Sequence, residues 1–345
     1  SSGGHHDTMV AGMLPLPDRL SLALLPTPLQ RLERLSAAWG GPTIWVKRDD
    51  LTGFGVSGNK IRKLEFHFAA ALSAGADTVL TCGAIQSNHC RATALAAPRP
   101  GFNTVLVLRT GDGLPPPTAT GNHLLHRMSG AEIRYITPAD YERRDEVLAE
   151  VADELTRSGA RPWIIPEGAS DVLGMWGFAV AMRELADQLQ LASLAPAAIW
   201  HAASSGGTSA GLGWADNRLG LDLPIVACTI GESSADVQVR VERIWAAAID
   251  AVGGDLPTPR LHYEDAYVGA GYGAVTDAEL AVQVEATALT GMLFDPTYTG
   301  KALYGLHQEI RAGRFGSADD VIFWHTGGGF EVFTHDYRAA LASAR

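Results

Sequence analysis

VKRDDLTGFGVSGNKIRKLE, residues 46–65, places one lysine, Lys60, at the boundary between a glycine-rich turn and a predicted helix. The glycines before Lys60 permit backbone angles closed to other residues, so the chain can pass close to a flat ligand. The helix dipole, with the neighbouring Arg62 and Lys63, should disfavour the ammonium form of Lys60 and lower its pKa. Such a lysine is a nucleophile that forms Schiff bases with aldehydes. Taken alone, the segment also suits the basic first turn of a surface helix.

Two further segments repeat the pattern of a strand, a turn of small polar residues and a helix. The first, TCGAIQSNHCR at residues 81–91, follows a short apolar run and presents helix N-terminal amides that can bind a carboxylate. The second, WHAASSGGTSAG at residues 200–211, lets several backbone N–H groups converge on a phosphate, with Ser205 and Thr208 as added hydroxyl donors. It is not a P-loop, because no Gly-Lys-Ser/Thr follows.

With these three segments on one chain, the sequence resembles the D-cysteine desulfhydrase / 1-aminocyclopropane-1-carboxylate (ACC) deaminase family of fold type II pyridoxal-phosphate enzymes. The resemblance spans about residues 26 to 335, in the family's order. The matching segments are KRDD (47–50), GNKIRKLE (58–65), GAIQSNH (83–89), GN (121–122), IP (165–166), GT (207–208), GYG (271–273), DPTYTGK (295–301) and HTGG (325–328).

Composition agrees with a globular enzyme. The 345 residues carry a formal charge of −11, which argues against binding to nucleic acid or to an anionic membrane surface. No run approaches the ~20 apolar residues of a transmembrane helix, and no signal peptide is visible, so we expect a cytoplasmic protein. The three cysteines form neither a disulfide framework nor a metal-ligand spacing, and we predict no metal site. Residues 1–8 read as an expression-tag remnant, with a native start near Met9 or Met13.

Alternating apolar runs and helical stretches predict an α/β fold with open, mostly parallel sheets. The predicted strands lie at residues 44–46, 78–80, 104–108, 132–136, 163–165, 198–200, 225–230 and 321–324, and long helices at 145–158, 178–191 and 277–289. The resemblance implies two lobes, as in the tryptophan synthase β subunit, with the cofactor in the interdomain cleft. The large cofactor-binding domain would comprise residues 9–61 and 175–345, and the small inserted domain residues 62–174.

The resemblance implies roles only where the motifs match. Lys60 would hold pyridoxal 5'-phosphate covalently and later move the proton of the substrate Cα. The other residues implied to bind the cofactor are Asn88 at its ring oxygen, Ser205, Gly206, Gly207 and Thr208 around its phosphate, and Thr299, with Thr326 as second candidate, at its pyridine nitrogen. Those implied to bind substrate are Ser87, Asn88, His89 and Tyr298, and those implied to be catalytic are Lys60, Ser87, Tyr272 and Tyr298.

Thr299 bears on the reaction. ACC deaminases typically carry glutamate at this place, which keeps the pyridine nitrogen protonated and makes a strong electron sink. A neutral threonine leaves a weaker sink, which suffices to lose a good leaving group from Cβ. We therefore predict a lyase that performs β-elimination on a small β-substituted amino acid, with D-cysteine first, giving pyruvate, sulfide and ammonia.

Several alternatives stay open. They are an L-cysteate sulfo-lyase, an ACC deaminase, and a specialised synthase or racemase with the same cofactor. The stretch from Glu167 to Trp176 departs from the family norm, which bears on substrate more than on cofactor. A non-catalytic nucleotide-binding module is disfavoured, because no Gly-x-Gly-x-x-Gly fingerprint is present. Among partners we expect only the amino-acid substrate and a second copy of the chain, since homodimers are the common default.

Overall fold

The structure, a computed structural model, describes residues 16–343. The expected tag remnant and the expected start at Met9 or Met13 lie outside these residues. The strands of the described part are β1 (Leu29–Arg31), β2 (Thr43–Arg48), β3 (Thr78–Ala84), β4 (Asn103–Arg109), β5 (Glu132–Ile136), β6 (Pro162–Ile164), β7 (Ala198–Ala203), β8 (Ile225–Thr229), β9 (Leu261–Glu264) and β10 (Asp320–His325). The α-helices are α1 (Glu33–Trp39), α2 (Lys60–Ser73), α3 (Asn88–Ala96), α4 (Gly121–Met128), α5 (Pro138–Glu142), α6 (Arg144–Arg157), α7 (Val172–Ala192), α8 (Gly207–Leu219), α9 (Ser234–Val252), α10 (Asp277–Thr290), α11 (Thr299–Arg311) and α12 (Arg338–Ser343).

The strands form two sheets. The larger has six strands in the order β1-β2-β10-β7-β8-β9, all parallel except β1, and the smaller has four parallel strands in the order β5-β4-β3-β6. Helices cover the faces of both sheets, so β7 and β8 are buried along their whole length. Continuous apolar runs are what parallel strands with two covered faces require. The predicted α/β class with mostly parallel sheets is confirmed.

All eight predicted strands are present, and β1 and β9 are additional. Both additional strands are edge strands of three or four residues, LQR and LHYE, too short and too polar for an apolar run to mark them. The three predicted helices correspond to α6, α7 and α10, although α7 begins six residues earlier, at Val172 rather than 178.

The predicted domain boundaries fall inside two helices that connect the sheets. Residue 62 lies in α2 and residue 174 in α7, and the strands of the smaller sheet all lie between these positions. The two helices pack backbone to backbone, because a Cβ at Gly177 of α7 would lie 2.5 Å from the carbonyl oxygen of Arg62. The division into 9–61 with 175–345 and 62–174 stays a prediction.

Lys47 and Asp49 of the KRDD segment join Arg62 and Glu184 in a buried ion-pair network beneath the Lys60 turn. Arg62 donates to Asp49 Oδ1 at 2.8 Å and to Glu184 Oε1 at 3.0 Å. Lys47 also donates to Glu184, which lies on α7. Breaking one member would leave a buried charge without its partner, a change that costs about 3–5 kcal/mol. The network thus ties the end of β2 to the first turn of α2 and to α7.

None of the helices in residues 16–343 is long and apolar enough to cross a membrane. The three cysteines of the chain, Cys82, Cys90 and Cys228, are free and buried.

Candidate active site

A cavity lies at the carboxyl ends of β3, β7 and β10, where the first turns of α2, α3 and α8 converge. Ligands of parallel α/β sheets bind at this edge, because the turns there expose helix N-termini. Ten of the twelve residues assigned to the site from the sequence line the cavity: Lys60, Ser87, Asn88, His89, Ser205, Gly206, Thr208, Tyr272, Tyr298 and Thr326. Gly207 and Thr299 lie behind this lining.

Lys60 is the first residue of α2, at the predicted turn-to-helix boundary. The preceding Gly58 has φ +108°, and a Cβ there would lie 2.7 Å from the carbonyl oxygen of Thr326, so only glycine fits. Burial lowers the pKa of Lys60 to about 8, against the opposing field of Glu167. The expected cause was partly wrong, because Arg62 points away from Lys60 into the buried ion pairs.

Ser87 caps α3, and its Oγ accepts a hydrogen bond from the amide of Cys90 at 3.1 Å. Gly83 makes room for it, since a Cβ at that position would lie 2.5 Å from Ser87 Oγ. The capping bond leaves the amides at the very start of α3 without a partner within the helix. The turn therefore presents a hydroxyl and amide donors, which suits the predicted carboxylate site.

Asn88 is oriented by Asn122 of α4. Asn122 Nδ2 donates to Asn88 Oδ1 at 3.0 Å and to the carbonyl oxygen of Gln86 at 2.8 Å. Because the Asn88 oxygen is occupied, its Nδ2 donor group is the part left for a ligand oxygen in the cavity. Asn122 was not identified from the sequence as a site residue, because only the tertiary fold brings it next to Asn88.

His89 is a buried neutral side chain. Its Nε2 lies 2.7 Å from Thr81 Oγ1, which itself donates to the carbonyl oxygen of Ile165 at 2.7 Å, so Nε2 is assigned as the donor. Burial lowers the pKa of His89 well below its ordinary value, and Lys60 adds to the effect. The imidazole is thus structural, and what His89 can offer a substrate carboxylate is its backbone amide.

The turn from β7 into α8 forms an anion cup. Gly206 takes the left-handed conformation at φ +86° and gives α8 no side-chain cap, so the first amides of the helix have no partner within it. Ser205 Oγ lies 2.7 Å from Ser170 Oγ, and Asn59 Nδ2 donates to Thr208 Oγ1 at 3.2 Å. Backbone donors at a helix N-terminus and hydroxyls together suit a phosphate.

A buried lysine lies beneath this cup. Lys63 is fully buried and donates to Ser170 Oγ at 3.1 Å, and a Cβ at Gly207 would lie 2.8 Å from its Nζ. Burial, and then Lys60, lower the pKa of Lys63 well below its ordinary value. Neither Lys63 nor Ser170 was assigned to the site from the sequence. Lys63 lies on α2 and Ser170 in the segment before α7, and only the folded chain brings these two segments to the Gly206 turn.

Tyr272 and Tyr298 meet on the opposite wall. Their hydroxyl oxygens lie 2.8 Å apart, and burial raises the pKa of both, so both are protonated at neutral pH. Asp295 holds the second tyrosine in place by accepting from the Tyr298 amide at 2.6 Å.

Thr299 is completely buried. Its Oγ1 donates to Asp295 Oδ2 at 2.8 Å and accepts from the Asp295 amide at 2.9 Å. Both capacities of the hydroxyl are thus used inside the protein, whereas Thr326 lines the cavity. The assignment of either residue to a ring nitrogen stays a prediction.

Glu167 is a site residue that the sequence marked only as a departure. It lines the cavity, its Oε1 accepts from the Tyr141 hydroxyl, and its Oε2 lies 3.0 Å from Arg144 Nε.

The residues present fit pyridoxal phosphate. A nucleophilic lysine, an anion cup and an oriented amide donor meet in one cavity, and added Cβ atoms at Gly58, Gly168 and Gly207 would each lie under 3.0 Å from a neighbouring heavy atom. Lys60 would hold the aldehyde carbon, the cup the phosphate and Asn88 the ring oxygen.

Comparisons with known proteins agree with a site for pyridoxal phosphate. The family described as pyridoxal-phosphate dependent enzyme matches residues 20–327. A putative ACC deaminase of Thermotoga maritima is 40% identical over 321 residues, covering 93% of this chain and 99% of the relative. A D-cysteine desulfhydrase of Salmonella choleraesuis is 36% identical over 326 residues, covering 92% and 96%.

Solved structures give the same fold. An ACC deaminase homologue superposes with a TM-score of 0.84 at 35% identity, covering 96% of this chain and 97% of the other. An L-serine ammonia-lyase of Rhizomucor miehei superposes with a TM-score of 0.60 at 20% identity, covering 90% and 95%, which is a likeness of fold alone.

Proposed function

We propose that this chain, which belongs to the pyridoxal-phosphate-dependent enzyme family and is a lyase, catalyses β-elimination from a small amino acid. D-cysteine is the first substrate that we propose. The observation that carries this is the neutral hydroxyl of Thr326 at the β10 end of the cavity. Among the described residues that line the cavity, Glu167 is the one carboxylate, and it lies beside Lys60 and the Ser205 turn.

A hydroxyl at the β10 end can share a hydrogen bond with a pyridine nitrogen but cannot hold it protonated as a carboxylate does. The bound cofactor supplies an electron sink for the Cα–H electrons, and a hydrogen bond alone leaves that sink moderate. A moderate sink favours loss of thiolate or chloride from Cβ over opening of a cyclopropane. The cavity thus supports elimination better than ring opening.

The chain's own groups divide the work. Ser87 and the amides that start α3 hold the substrate carboxylate and thereby orient the Cα–H bond. Lys60 takes the proton from Cα, since its lowered pKa keeps a larger fraction of the amine neutral near pH 8. Tyr298, hydrogen-bonded to Tyr272, holds a proton that can be donated to a leaving group at Cβ.

The test is a keto-acid assay on the holoenzyme with D-cysteine, β-chloro-D-alanine, L-cysteate and ACC. We expect pyruvate from D-cysteine and β-chloro-D-alanine, and slow or no 2-oxobutyrate from ACC. Rapid 2-oxobutyrate from ACC without pyruvate from the others would overturn the proposal in favour of the activity named for the Thermotoga relative. Pyruvate from L-cysteate alone would favour a sulfo-lyase.

The oligomeric state and location belong to the same proposal. We expect a homodimer, which light scattering of the purified holoenzyme would test, and a cytoplasmic location, which fractionation of the source cells would test.

A further inference from the structure

Glu167 lines the cavity beside Lys60. The next residue, Gly168, has φ +68°, and a Cβ there would lie 3.3 Å from Lys60 Nζ and 2.6 Å from Ser205 Oγ. The chain therefore runs directly beside the nucleophile. The charge of Glu167 raises the pKa of Lys60 and also that of Tyr272, so it acts on groups from both walls of the cavity.

The carboxylate is held in a fixed orientation by the helices of the smaller sheet. Tyr141 of α5, only 8% exposed, donates its hydroxyl hydrogen to Glu167, and Arg144 of α6 pairs with the other carboxylate oxygen at 3.0 Å. The guanidinium groups of Arg144 and Arg109 lie over the Tyr141 ring, 5.3 and 4.9 Å from its centroid. Arg144 does not line the cavity, so the group presented to a ligand is an anion.

We propose that Glu167 selects the charge of the substrate β-substituent, disfavouring anionic groups such as sulfonate and accepting neutral or cationic ones. This inference rests on the proposed function, in which a small β-substituted amino acid enters the cavity. The α-carboxylate of such a substrate is bound at the Ser87 turn, and a second anion at Cβ meets a carboxylate with no cavity-lining cation other than Lys60 to offset it among the described residues. Like charges in a partly desolvated site repel, and such repulsion is a common source of specificity.

The test measures binding and does not depend on turnover. The absorbance of the bound cofactor is titrated with D-serine, D-cysteate and D-2,3-diaminopropionate, whose β-substituents are neutral, anionic and cationic, and the series is repeated with the L-enantiomers. Glu167→Gln deletes the charge and retains an oxygen that can accept from Tyr141. We expect the Kd ratio of cysteate to serine to fall about tenfold, because Arg144 and solvent offset part of the full Coulomb effect.

Two matched variants sharpen the result. Arg144→Gln removes the offsetting cation, so the cysteate-to-serine ratio should rise rather than fall. Glu150→Gln deletes the same charge at an exposed position of α6, where Glu150 pairs with Arg143 at 3.1 Å outside the cavity, and the ratio should match that of the wild type. Thermal melting of each variant checks that it is folded.

An unchanged ratio in folded Glu167→Gln, or an equal loss of affinity for all three ligands, would overturn the inference, because Glu167 would then only position its neighbours. A shifted ratio without keto acid from any substrate would sink the elimination chemistry and support charge selection. If no amino acid perturbs the absorbance in either series, both the small amino-acid substrate and the selection by Glu167 are overturned.

Discussion

Two turns of the cavity look alike in the sequence and differ in what they leave free. The turn before α3 is capped by Ser87, whose Oγ already accepts from the Cys90 amide, whereas the turn before α8 has Gly206 at its N-cap and no side-chain cap. The Gly206 turn also has the buried amine of Lys63 beneath it, which donates to Ser170 Oγ. More free donors suit a phosphate dianion, and fewer donors suit a carboxylate. The difference in capping thus favours phosphate at the Gly206 turn and a carboxylate at the Ser87 turn.

Lys60 lies between the two turns, so its removal should have the largest effect. Lys60→Ala should lose the covalently attached chromophore and nearly all activity, because no other group can then attach the cofactor, while the fold remains. Borohydride reduction of the wild type followed by peptide mapping identifies the attached lysine. A label on Lys63 or Lys301 would contradict the assignment.

The Gly206 turn is tested by filling it. In Gly207→Ala the new methyl group would lie 2.7 Å from Ser170 Oγ and 2.8 Å from Lys63 Nζ, so the cup must open. We expect the cofactor Kd to rise about tenfold, equivalent to about 1.4 kcal/mol. Equilibrium dialysis of the apoenzyme measures it, with Gly111→Ala as a control in the exposed turn after β4, where φ is not positive and a Cβ has no neighbour within 4 Å. Equal loss in both variants would mean general instability.

A change in the Ser87 turn should weaken substrate binding and not cofactor binding. Ser87→Ala should raise KM about tenfold and leave the cofactor bound, because its proposed partner is the substrate carboxylate. The lost cap also costs about 1 kcal/mol of stability, visible as a lower Tm. Asn88→Ala should instead change the absorbance of the bound cofactor. Unchanged turnover by Ser87→Ala at subsaturating substrate would show that this turn is not the substrate anchor.

The pH dependence of cofactor capture probes the space between the turns. Burial favours the neutral amine of Lys60 and lowers its pKa to about 8 from 10.5. The rate at which apoenzyme captures pyridoxal phosphate should therefore rise through about pH 8 and level off above it. Glu167→Gln removes a charge that raises this pKa, so its midpoint should lie at lower pH. A midpoint near the ordinary lysine value in the wild type would show that Lys60 is not desolvated.

The parts of this site that could be predicted from the sequence are local. Both turns, Lys60 at the start of α2 and eight of the strands depend on neighbouring residues, and each was located correctly. Burial was not visible, which is why Arg62 was wrongly given a share in lowering the Lys60 pKa. Glu167, Lys63 and Asn122 join the cavity or its support only through tertiary packing, and no local spacing marks them.

Thr299 and Thr326 allow the finest comparison, with the smallest expected effect. Thr299→Val would leave Asp295 Oδ2 without its hydroxyl donor, which should cost about 1 kcal/mol of stability and lower the Tm. Thr326→Val removes a hydroxyl that lines the cavity, so we expect a shifted cofactor absorbance and a few-fold lower kcat, with a smaller change in Tm. Spectra, kinetics and melting of both variants separate the two effects. A spectral shift in Thr299→Val but not in Thr326→Val would assign the ring nitrogen to Thr299, as the resemblance implied, and would require Thr299 to exchange its bond with Asp295 for one to the cofactor.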